Sequence, residues 1–397
     1  MATLIKVNGS GQGGYEFPNG MKWEQSNITD VGFQGLYCAN GVWVAGARNN
    51  GGIYYSIDGK TWTQSNITTG YFGCIYNANG IWVAAGDNGS GLYYSIDGKT
   101  WIKSSSIPSG SITSGINLTV LGYADGIWVV GTDQNDNMYY STDGKTWYKN
   151  GTTIVSPRSL YHANGLWVIG SFNKGLYYSV DGKSWVQSNI TSQEFDGLYY
   201  ANGLWVAGGE HGIYYSTDGK SWIQSNLNGM FDSIHNVCCA NGIWVASSSD
   251  GLYYSSDGKT WIQSNITSNI FYSAYYANGI WVAGSSYSNG LYYSTDGKSW
   301  TQSNITSGGF YSVYCANGIW VAAHYQNTDA GLYYSPTWEP TIPAGEYMFS
   351  AAPGSPALNP TELENVTLTE TINFVSNSET YSTMTANNIV SFIKEVR

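Results

Sequence analysis

Hydrophobic and polar residues alternate over short stretches along most of the chain, and Asn-Gly or Asp-Gly pairs separate the stretches. In Ile81-Trp82-Val83-Ala84 the period of two predicts a β-strand. The preceding Asn79-Gly80 predicts a tight hairpin turn, because both residue types tolerate positive φ. Residues 71–103 thus form a unit of four short strands, predicted at 71–77, 81–85, 92–96 and 100–103.

Three strings of residues recur along the chain, and from Trp23 to Trp338 they repeat eight times over 315 residues, or about every 39 residues. The string Tyr-Tyr-Ser begins at Tyr54, Tyr93, Tyr139, Tyr177, Tyr214, Tyr253, Tyr292 and Tyr333. An Asn/Asp-Gly-x-Trp-Val string contains Trp43, Trp82, Trp128, Trp167, Trp205, Trp244, Trp281 and Trp320. Asp-Gly-Lys turns precede Trp62, Trp101, Trp147, Trp185, Trp222, Trp261 and Trp300. Four antiparallel strands at a period near 40 are typical of a β-propeller blade, with a solenoid of stacked repeats as the alternative.

The repeat predicts an all-β protein, an eight-bladed β-propeller of four-stranded antiparallel blades with a small C-terminal β module. With the strands of a blade named A to D, the chain contains eight A-B-C sets but seven regular D strands. The strand around Trp23 is expected to supply the eighth D strand and close the ring, which leaves no open edge. We predict an N-terminal arm at 1–20, the propeller at 21–338, and a proline-rich linker with a small β module at 339–397.

The turns between strands C and D resemble the Asp-box of sialidase-like propellers, as in Ser56-Ile57-Asp58-Gly59-Lys60-Thr61-Trp62. In this chain Gly follows Asp directly, one residue short of the usual spacing. The resemblance covers about residues 20–338 and implies the architecture. It implies no activity, since Asp-boxes are structural turns that lie away from the catalytic site.

Composition and charge exclude several classes of protein. The chain has 16 Lys and Arg against 27 Asp and Glu, a net charge of −11, so no basic surface is expected to bind nucleic acid. With 11% charged and 16% aromatic residues it is unlike a disordered chain. No apolar run predicts membrane insertion or a secretion signal. The five cysteines are scattered and odd in number, so no disulfide framework is predicted.

The repeated aromatic and acidic residues are predicted to be structural. Each Trp occupies a fixed position in the blade, and burying one removes about 150–250 Å² from water. The Asp residues of the Asp-Gly-Lys turns are equivalent around a ring, so they cannot converge on one substrate and are predicted to form turns.

One position near the start of strand A differs from blade to blade, seven residues before the Gly of each Asn/Asp-Gly turn. It contains Gln34, Gly73, Thr119, Arg158, Asp196, His235, Tyr272 and Tyr311. Strand A is the innermost strand, so this position should surround the mouth of the central channel. The loops between strands B and C also vary, and they contribute Arg48, Glu210 and Tyr325. We predict that the polar members of this position and these three loop residues bind a ligand; the alternative is sequence drift at a solvated rim.

Catalysis has weaker support in the sequence. The three Arg of the chain, one of which is the C-terminal residue, do not supply the arginine triad that sialidases use. The four His belong to different blades and show no metal-ligand spacing, so no metal and no cofactor are predicted. A glycosidase could pair Asp196 with Asp133 or Glu210 across the channel, although the spacing does not single them out.

The near-identical repeats, followed by Ile342-Pro343-Ala344-Gly345-Glu346-Tyr347-Met348-Phe349, resemble tail-associated and fibre-type proteins of bacteriophages of gut bacteria. That resemblance implies a virion component, assembled in the host cytoplasm, that recognises a host-surface glycan or protein. Its C-terminal module would then contact other virion proteins. The alternatives are a secreted or surface glycan-binding lectin of bacterial origin, with an extracellular location, and a sialidase-like glycoside hydrolase.

Overall fold

The chain folds into eight four-stranded antiparallel sheets, each with the strand order A-B-C-D, which confirms the predicted eight-bladed β-propeller. The computed structural model describes residues 20–48, 50–87, 89–104, 118–133, 137–228, 233–286, 289–325 and 330–335. It also describes the backbone of strands at 3–7, 345–349, 366–367, 372–376, 379–384 and 389–390. Residue 338, the last predicted member of the tryptophan set, lies outside these ranges.

The strands are short, and their lengths follow the repeat. Strands A span Phe33–Ala39, Tyr71–Ala78, Leu118–Ala124, Pro157–Ala163, Phe195–Ala201, Ile234–Ala240, Phe271–Ala277 and Phe310–Ala316 in blades 1 to 8. Strands B span Val42–Ala47, Ile81–Asp87, Ile127–Thr132, Leu166–Ser171, Leu204–Gly209, Ile243–Ser248, Ile280–Ser285 and Ile319–His324. Strands C span Ile53–Ser56, Gly91–Ser95, Asn137–Ser141, Gly175–Ser179, Gly212–Ser216, Gly251–Ser255, Leu291–Ser294 and Gly331–Ser335. Strands D span Thr63–Gln64, Ile102–Lys103, Tyr148–Thr153, Val186–Gln187, Ile223–Asn228, Ile262–Gln263, Thr301–Gln302 and, in blade 8, Glu24–Gln25.

Blade 8 combines three strands from the end of the propeller sequence with one strand from its beginning. Glu24 pairs with Tyr334, and Gln25 pairs with Tyr333. The A strands of blades 1 and 8 also contact each other, as those of every other neighbouring pair do. The ring is therefore closed by the pairing that the sequence analysis expects for the strand around Trp23.

The hydrophobic core is divided into clusters that lie between neighbouring blades. Between blades 8 and 1, for example, Phe33 and Trp43 pack with Val321 and Leu332. The eight Trp of the B strands are at most 2% exposed, and Trp23 and the seven Trp after the C–D turns are also buried. The structural interpretation of these sixteen Trp is confirmed, so they do not provide an exposed sugar-binding surface.

The two kinds of turn are built differently. In the A–B turns both residues have positive φ, as predicted; in blade 1, Asn40 has φ 51° and Gly41 has φ 76°. In the C–D turns the Gly alone has positive φ, and side chains hold the loop instead. Asp58 Oδ1 accepts hydrogen bonds from the backbone N–H groups of Lys60 and Thr61, at 2.8 and 2.7 Å. The Asp residues are therefore turn formers, as predicted.

Two polar contacts connect neighbouring blades and recur at most of the eight junctions around the ring. The side chain of Asn66 accepts a hydrogen bond from Trp101 N at 2.8 Å and donates one to Trp101 O at 2.9 Å. The Lys of a C–D turn lies over the second Tyr of the Tyr-Tyr-Ser string in the preceding blade; the ammonium of Lys99 is 5.8 Å from the ring centre of Tyr55. These contacts join the Asp-Gly-Lys-x-Trp segment of one blade to the Asn and the Tyr-Tyr-Ser string of its neighbour, which explains why these residues repeat so closely.

The described part of the chain outside the propeller forms a separate compact unit, which combines residues 1–16 with residues 338–397. The strand Thr3–Val7 pairs antiparallel with Gly345–Phe349, and this sheet continues with Ile372–Ser376 and Glu379–Met384. The strands Val366–Thr367 and Ile389–Val390 form a second, two-stranded sheet. The N-terminal arm thus contributes a strand to the same unit as the C-terminal β module.

Candidate ligand-binding rim

The variable position of strand A is the extra residue of a β-bulge in all eight blades. In blade 1, Phe33 pairs with Ala47 and Gly35 with Gly46, so Gln34 has no partner in the A–B ladder. The same register shift occurs at the equivalent position of every other blade. A bulge re-aims a side chain and releases it from the alternation of the strand. In blades 1, 4, 6 and 8 the bulge residue contacts the residue fourteen positions later, at the start of the B–C loop.

In blades 1, 8 and 7 the bulge residues and their loop neighbours form a continuous stack. The guanidinium carbon of Arg48 lies 4.1 Å from the ring centre of Tyr325, and Arg48 Nη1 donates a hydrogen bond to Gln34 Oε1 at 3.4 Å. Tyr325 contacts Tyr311 with ring centres 4.2 Å apart. Tyr311 stacks on Tyr272 at 4.0 Å, with 17° between the ring planes. These side chains come from five separate positions in the sequence and form one surface.

The stack continues through blades 6 and 5. The rings of Tyr272 and His235 lie 4.8 Å apart. His235 Nδ1 lies 3.7 Å from Asp196 Oδ2, and His235 Nε2 lies 3.0 Å from Ser249 Oγ. The imidazole is thus fixed between an acidic residue of blade 5 and a hydroxyl of its own blade.

Charged side chains end the series at blades 5 and 4. Arg158 Nε lies 3.5 Å from Glu194 Oε1, and the Arg158 guanidinium also lies over the ring of Phe172. Burial raises the pKa of Glu194 to about 7; the neighbouring carboxylates of Asp196 and Glu210 add to the rise, and Arg158 opposes it. Glu194 therefore gains or loses its proton near neutral pH. We call the contact series Gln34, Arg48, Tyr325, Tyr311, Tyr272, His235, Asp196, Glu194 and Arg158 the rim arc.

The remaining sequence-predicted residues lie beside the rim arc or apart from it. The backbone N–H of Glu210 donates to Glu194 O at 3.2 Å, so Glu210 is adjacent to the arc. Thr119 of blade 3 donates through its hydroxyl to the backbone oxygen of Pro157. Blade 2 has Gly73 at this position and offers no side chain there. The arc therefore covers six of the eight blades.

Sequence reasoning missed three residues that complete these contacts: Glu194, Phe172 and Ser249. Glu194 lies in the connection from strand D of blade 4 to strand A of blade 5. This connection emerges on the same face as the B–C loops. Phe172 and Ser249 begin the B–C loops of blades 4 and 6, fourteen residues after their bulge residues. The same spacing of fourteen residues separates Gln34 from Arg48 and Tyr311 from Tyr325, so it could have identified both loop residues. The β-bulge that brings the two positions together depends on the pairing of strands A and B, which the sequence of strand A alone does not show.

Further into the channel, three residues along strand A, six blades carry a Tyr. These are Tyr37, Tyr76, Tyr161, Tyr199, Tyr275 and Tyr314. The ring of Tyr37 lies 4.9 Å from that of Tyr76 and 5.5 Å from that of Tyr314. Burial raises the pKa of five of these phenols, those of Tyr37, Tyr161, Tyr199, Tyr275 and Tyr314. The channel below the rim is therefore lined by polar phenol hydroxyl groups.

Within the described ranges, no group of three or more His, Cys, Asp or Glu side chains is arranged to hold a metal ion. The described residues also contain no helix with the length and apolar character of a membrane span. All five cysteines are free thiols.

Comparisons with known proteins support the fold alone. No protein-family model matches the chain, and no curated protein sequence matches it either. Among solved structures, it is similar to the computationally designed Ika8 protein, with a TM-score of 0.62 and 12% identity over 80% of this chain and 99% of that chain. It is also similar to the WD40 β-propeller domain of Doa1, with a TM-score of 0.51 and 12% identity over 80% of this chain and 98% of that one.

A third similar structure is a catalytically inactive variant of virginiamycin B lyase from Staphylococcus aureus with quinupristin. Its TM-score is 0.54, with 7% identity over 72% of this chain and 96% of that one. The protein thus shares the β-propeller fold with these structures. Because one neighbour is a lyase variant, the fold by itself does not separate binding from catalysis.

Proposed function

We propose that this protein is a non-enzymatic binding propeller that recognises a host-surface glycan or protein through the rim arc. The observation that carries the proposal is the bulge at the same position of every blade, which presents unlike side chains next to one another. A position under common packing demands would repeat one residue type, as the Trp positions do. The aromatic, cationic and acidic groups of the arc instead form an asymmetric surface suited to one oriented ligand.

The biological setting that we propose is a bacteriophage virion, with the propeller in a tail or fibre appendage. This part of the proposal is supported by the resemblance of the repeats to such proteins, and the second compact unit would contact other virion proteins. Mass spectrometry of purified particles tests it. Detection of the chain in cell lysate but never in particles would overturn the virion setting and leave the binding function to be judged separately.

The binding function is tested by a glycan array probed with the full chain and with the triple variant Arg158→Ala, Asp196→Ala and Tyr272→Ala. We expect the triple variant to lose binding to every glycan that retains the wild type. A matched control replaces three exposed C–D turn residues on the opposite face, Thr142→Ala, Thr217→Ala and Thr295→Ala, and should bind as the wild type does. Equal binding by the two triple variants would remove the rim arc as the site.

A glycoside hydrolase is the second candidate, and one observation favours it. Burial, together with the nearby carboxylates of Asp196 and Glu210, raises the pKa of Glu194 to about 7, which suits a general acid. Incubation of sialosides and polysaccharides with the protein tests this function. Turnover that disappears in Glu194→Gln would replace the binding proposal with a hydrolase.

A further inference from the structure

Blades 1 and 5 carry opposite charge at the rim. Arg48 lies on blade 1, whereas Asp196, Glu194 and Glu210 lie at blade 5. Blades 1 and 5 are four positions apart in a ring of eight, so these charges lie on opposite sides of the channel mouth. The three carboxylates outnumber the one cation beside them, Arg158 of blade 4. A ligand with a single anionic group would therefore be attracted to one end of the arc and repelled by the other.

Arg48 differs in its surroundings from Arg158, the other Arg of the rim arc, and it lies on the face opposite the C–D turns. Arg158 is paired with Glu194, and the Lys residues of the C–D turns lie over Tyr rings on the opposite face. Among the described residues, no carboxylate lies within ion-pair distance of Arg48. Its neighbours are the rings of Tyr325 and Tyr311 and the amide of Gln34. A half-buried guanidinium in this setting keeps N–H donors for an anion.

The stack also holds the guanidinium in place before any ligand arrives. Contact with the Tyr325 ring and the hydrogen bond to Gln34 Oε1 restrict the Arg48 side chain. A donor that is already ordered loses less conformational entropy when it binds. The guanidinium is planar, and its paired N–H groups match the two oxygens of a carboxylate.

We propose that Arg48 binds the carboxylate of an acidic glycan, such as one that contains uronic acid, and thereby orients the ligand across the rim. This inference rests on the proposed binding function and names its ligand class. A glycan fits better than an acidic peptide, because the net charge of −11 and the acidic blade 5 end would repel a chain of many carboxylates. Ring hydroxyls of the glycan match the phenols and carboxylates along the arc. Because both faces of Tyr311 contact other rings, the sugar meets ring edges rather than faces.

The experiment uses an array of paired glycans, each uronic-acid glycan beside the same glycan with its carboxyl reduced to an alcohol. Neutral sulfated glycans are printed as a third set. The full chain is compared with Arg48→Gln, Arg48→Lys and the control Lys60→Gln, which removes the same charge from the opposite face. We expect the wild type and Lys60→Gln to bind the carboxylated members about tenfold to a hundredfold more tightly than their reduced partners. Arg48→Gln should bind both members alike, and Arg48→Lys should retain only part of the preference.

Gln34→Ala is a second variant. It keeps the Arg48 guanidinium and removes Gln34 Oε1, the acceptor that positions this guanidinium. It should lower the preference severalfold while melting as the wild type does. A preference that survives in Arg48→Gln overturns the assignment, and so does wild-type binding to the sulfated set alone. Equal wild-type binding to both members of the pairs overturns this inference but leaves the proposed function standing. An array that retains no wild-type protein overturns this inference and also glycan recognition, and leaves only a host-surface protein as the ligand of the proposed function.

Discussion

Tyr272 and Tyr311 belong to different blades, yet their rings stack with centres 4.0 Å apart and 17° between the planes. Each occupies a β-bulge, so neither ring is fixed by the cross-strand pairing of its own sheet. The stack instead connects two neighbouring blades at the rim. It is the central contact of the rim arc and holds Tyr311 beside Arg48.

A double-mutant cycle measures this contact without any ligand. Because a stacked aromatic pair contributes about 0.5–1.5 kcal/mol beyond its buried area, Tyr272→Ala and Tyr311→Ala should be non-additive by about that amount. Urea unfolding of the wild type, the two single variants and the double variant gives the coupling. The control cycle combines Tyr311→Ala with Tyr148→Ala, which removes an exposed ring of another blade. Additive effects in the first cycle would show that the stack contributes nothing.

The fold could be predicted from the sequence because the same turn and strand residues recur in each blade. Asn40-Gly41 specifies a turn with positive φ at both residues, and the apolar run around Trp43 specifies a strand, which the structure buries on both faces. The C–D turn was only partly predicted. Its Asp side chain folds the loop through hydrogen bonds to Lys60 and Thr61, which a pattern of turn propensities does not contain.

For the candidate site, the sequence predicted where the variable residues lie but not which of them contact one another. The variation at Gln34 and its equivalents located the rim, but the contacts of the arc depend on the register between strands A and B. A single strand does not reveal that register. Glu194 was missed because it precedes strand A, and because its pKa depends on burial and on Asp196, which only the assembled ring provides.

The inter-blade contact of Asn66 predicts a stability effect. Asn66→Ala removes two hydrogen bonds to the Trp101 backbone and should lower the free energy of unfolding by about 1–2 kcal/mol. Asn66→Asp keeps the acceptor for Trp101 N but places a carboxylate oxygen against Trp101 O, so it should not restore the lost stability. The control Thr68→Ala removes an exposed side chain two residues away. Thermal unfolding measures all three, and a midpoint unchanged in Asn66→Ala would contradict the role assigned to Asn66.

The C–D turns predict a loss of stability in acid. Burial acts to raise the pKa of Asp58, but hydrogen bonds from Thr61, Lys60 and Ser56 outweigh it and lower the pKa below its usual value. A carboxyl whose folded pKa is lowered stabilises the fold above its unfolded pKa, near 4, and this contribution disappears as the pH falls further. Asp58→Asn should therefore cost about 1 kcal/mol at pH 7, where solvent screens the exposed carboxylate, and less at pH 3.

Urea unfolding at the two pH values measures the Asp58→Asn effect, with Asp30→Asn as a control at an exposed acid outside the turns. The C–D turns of blades 2 to 7 contain an equivalent Asp whose pKa is also lowered, so the wild type should lose stability steeply below pH 4. A cost for Asp58→Asn that is the same at both pH values would rule out the carboxylate as the source of the stabilisation.

From the raised pKa of Glu194 we expect the opposite pH dependence of stability near neutral pH. Burial raises its pKa to about 7, so between about pH 4.5 and 7 the folded chain binds a proton that the unfolded chain has released. The stability of the wild type therefore falls as the pH rises through this range, by at most about 2–3 kcal/mol. Glu194→Gln cannot ionise, so its stability relative to the wild type should increase from pH 5 to pH 8. Arg158→Gln removes the cation that opposes the rise and should move the midpoint of the pH dependence upward. Urea unfolding across pH 5–8 distinguishes these outcomes, and parallel curves for the wild type and Glu194→Gln would show that Glu194 does not titrate there.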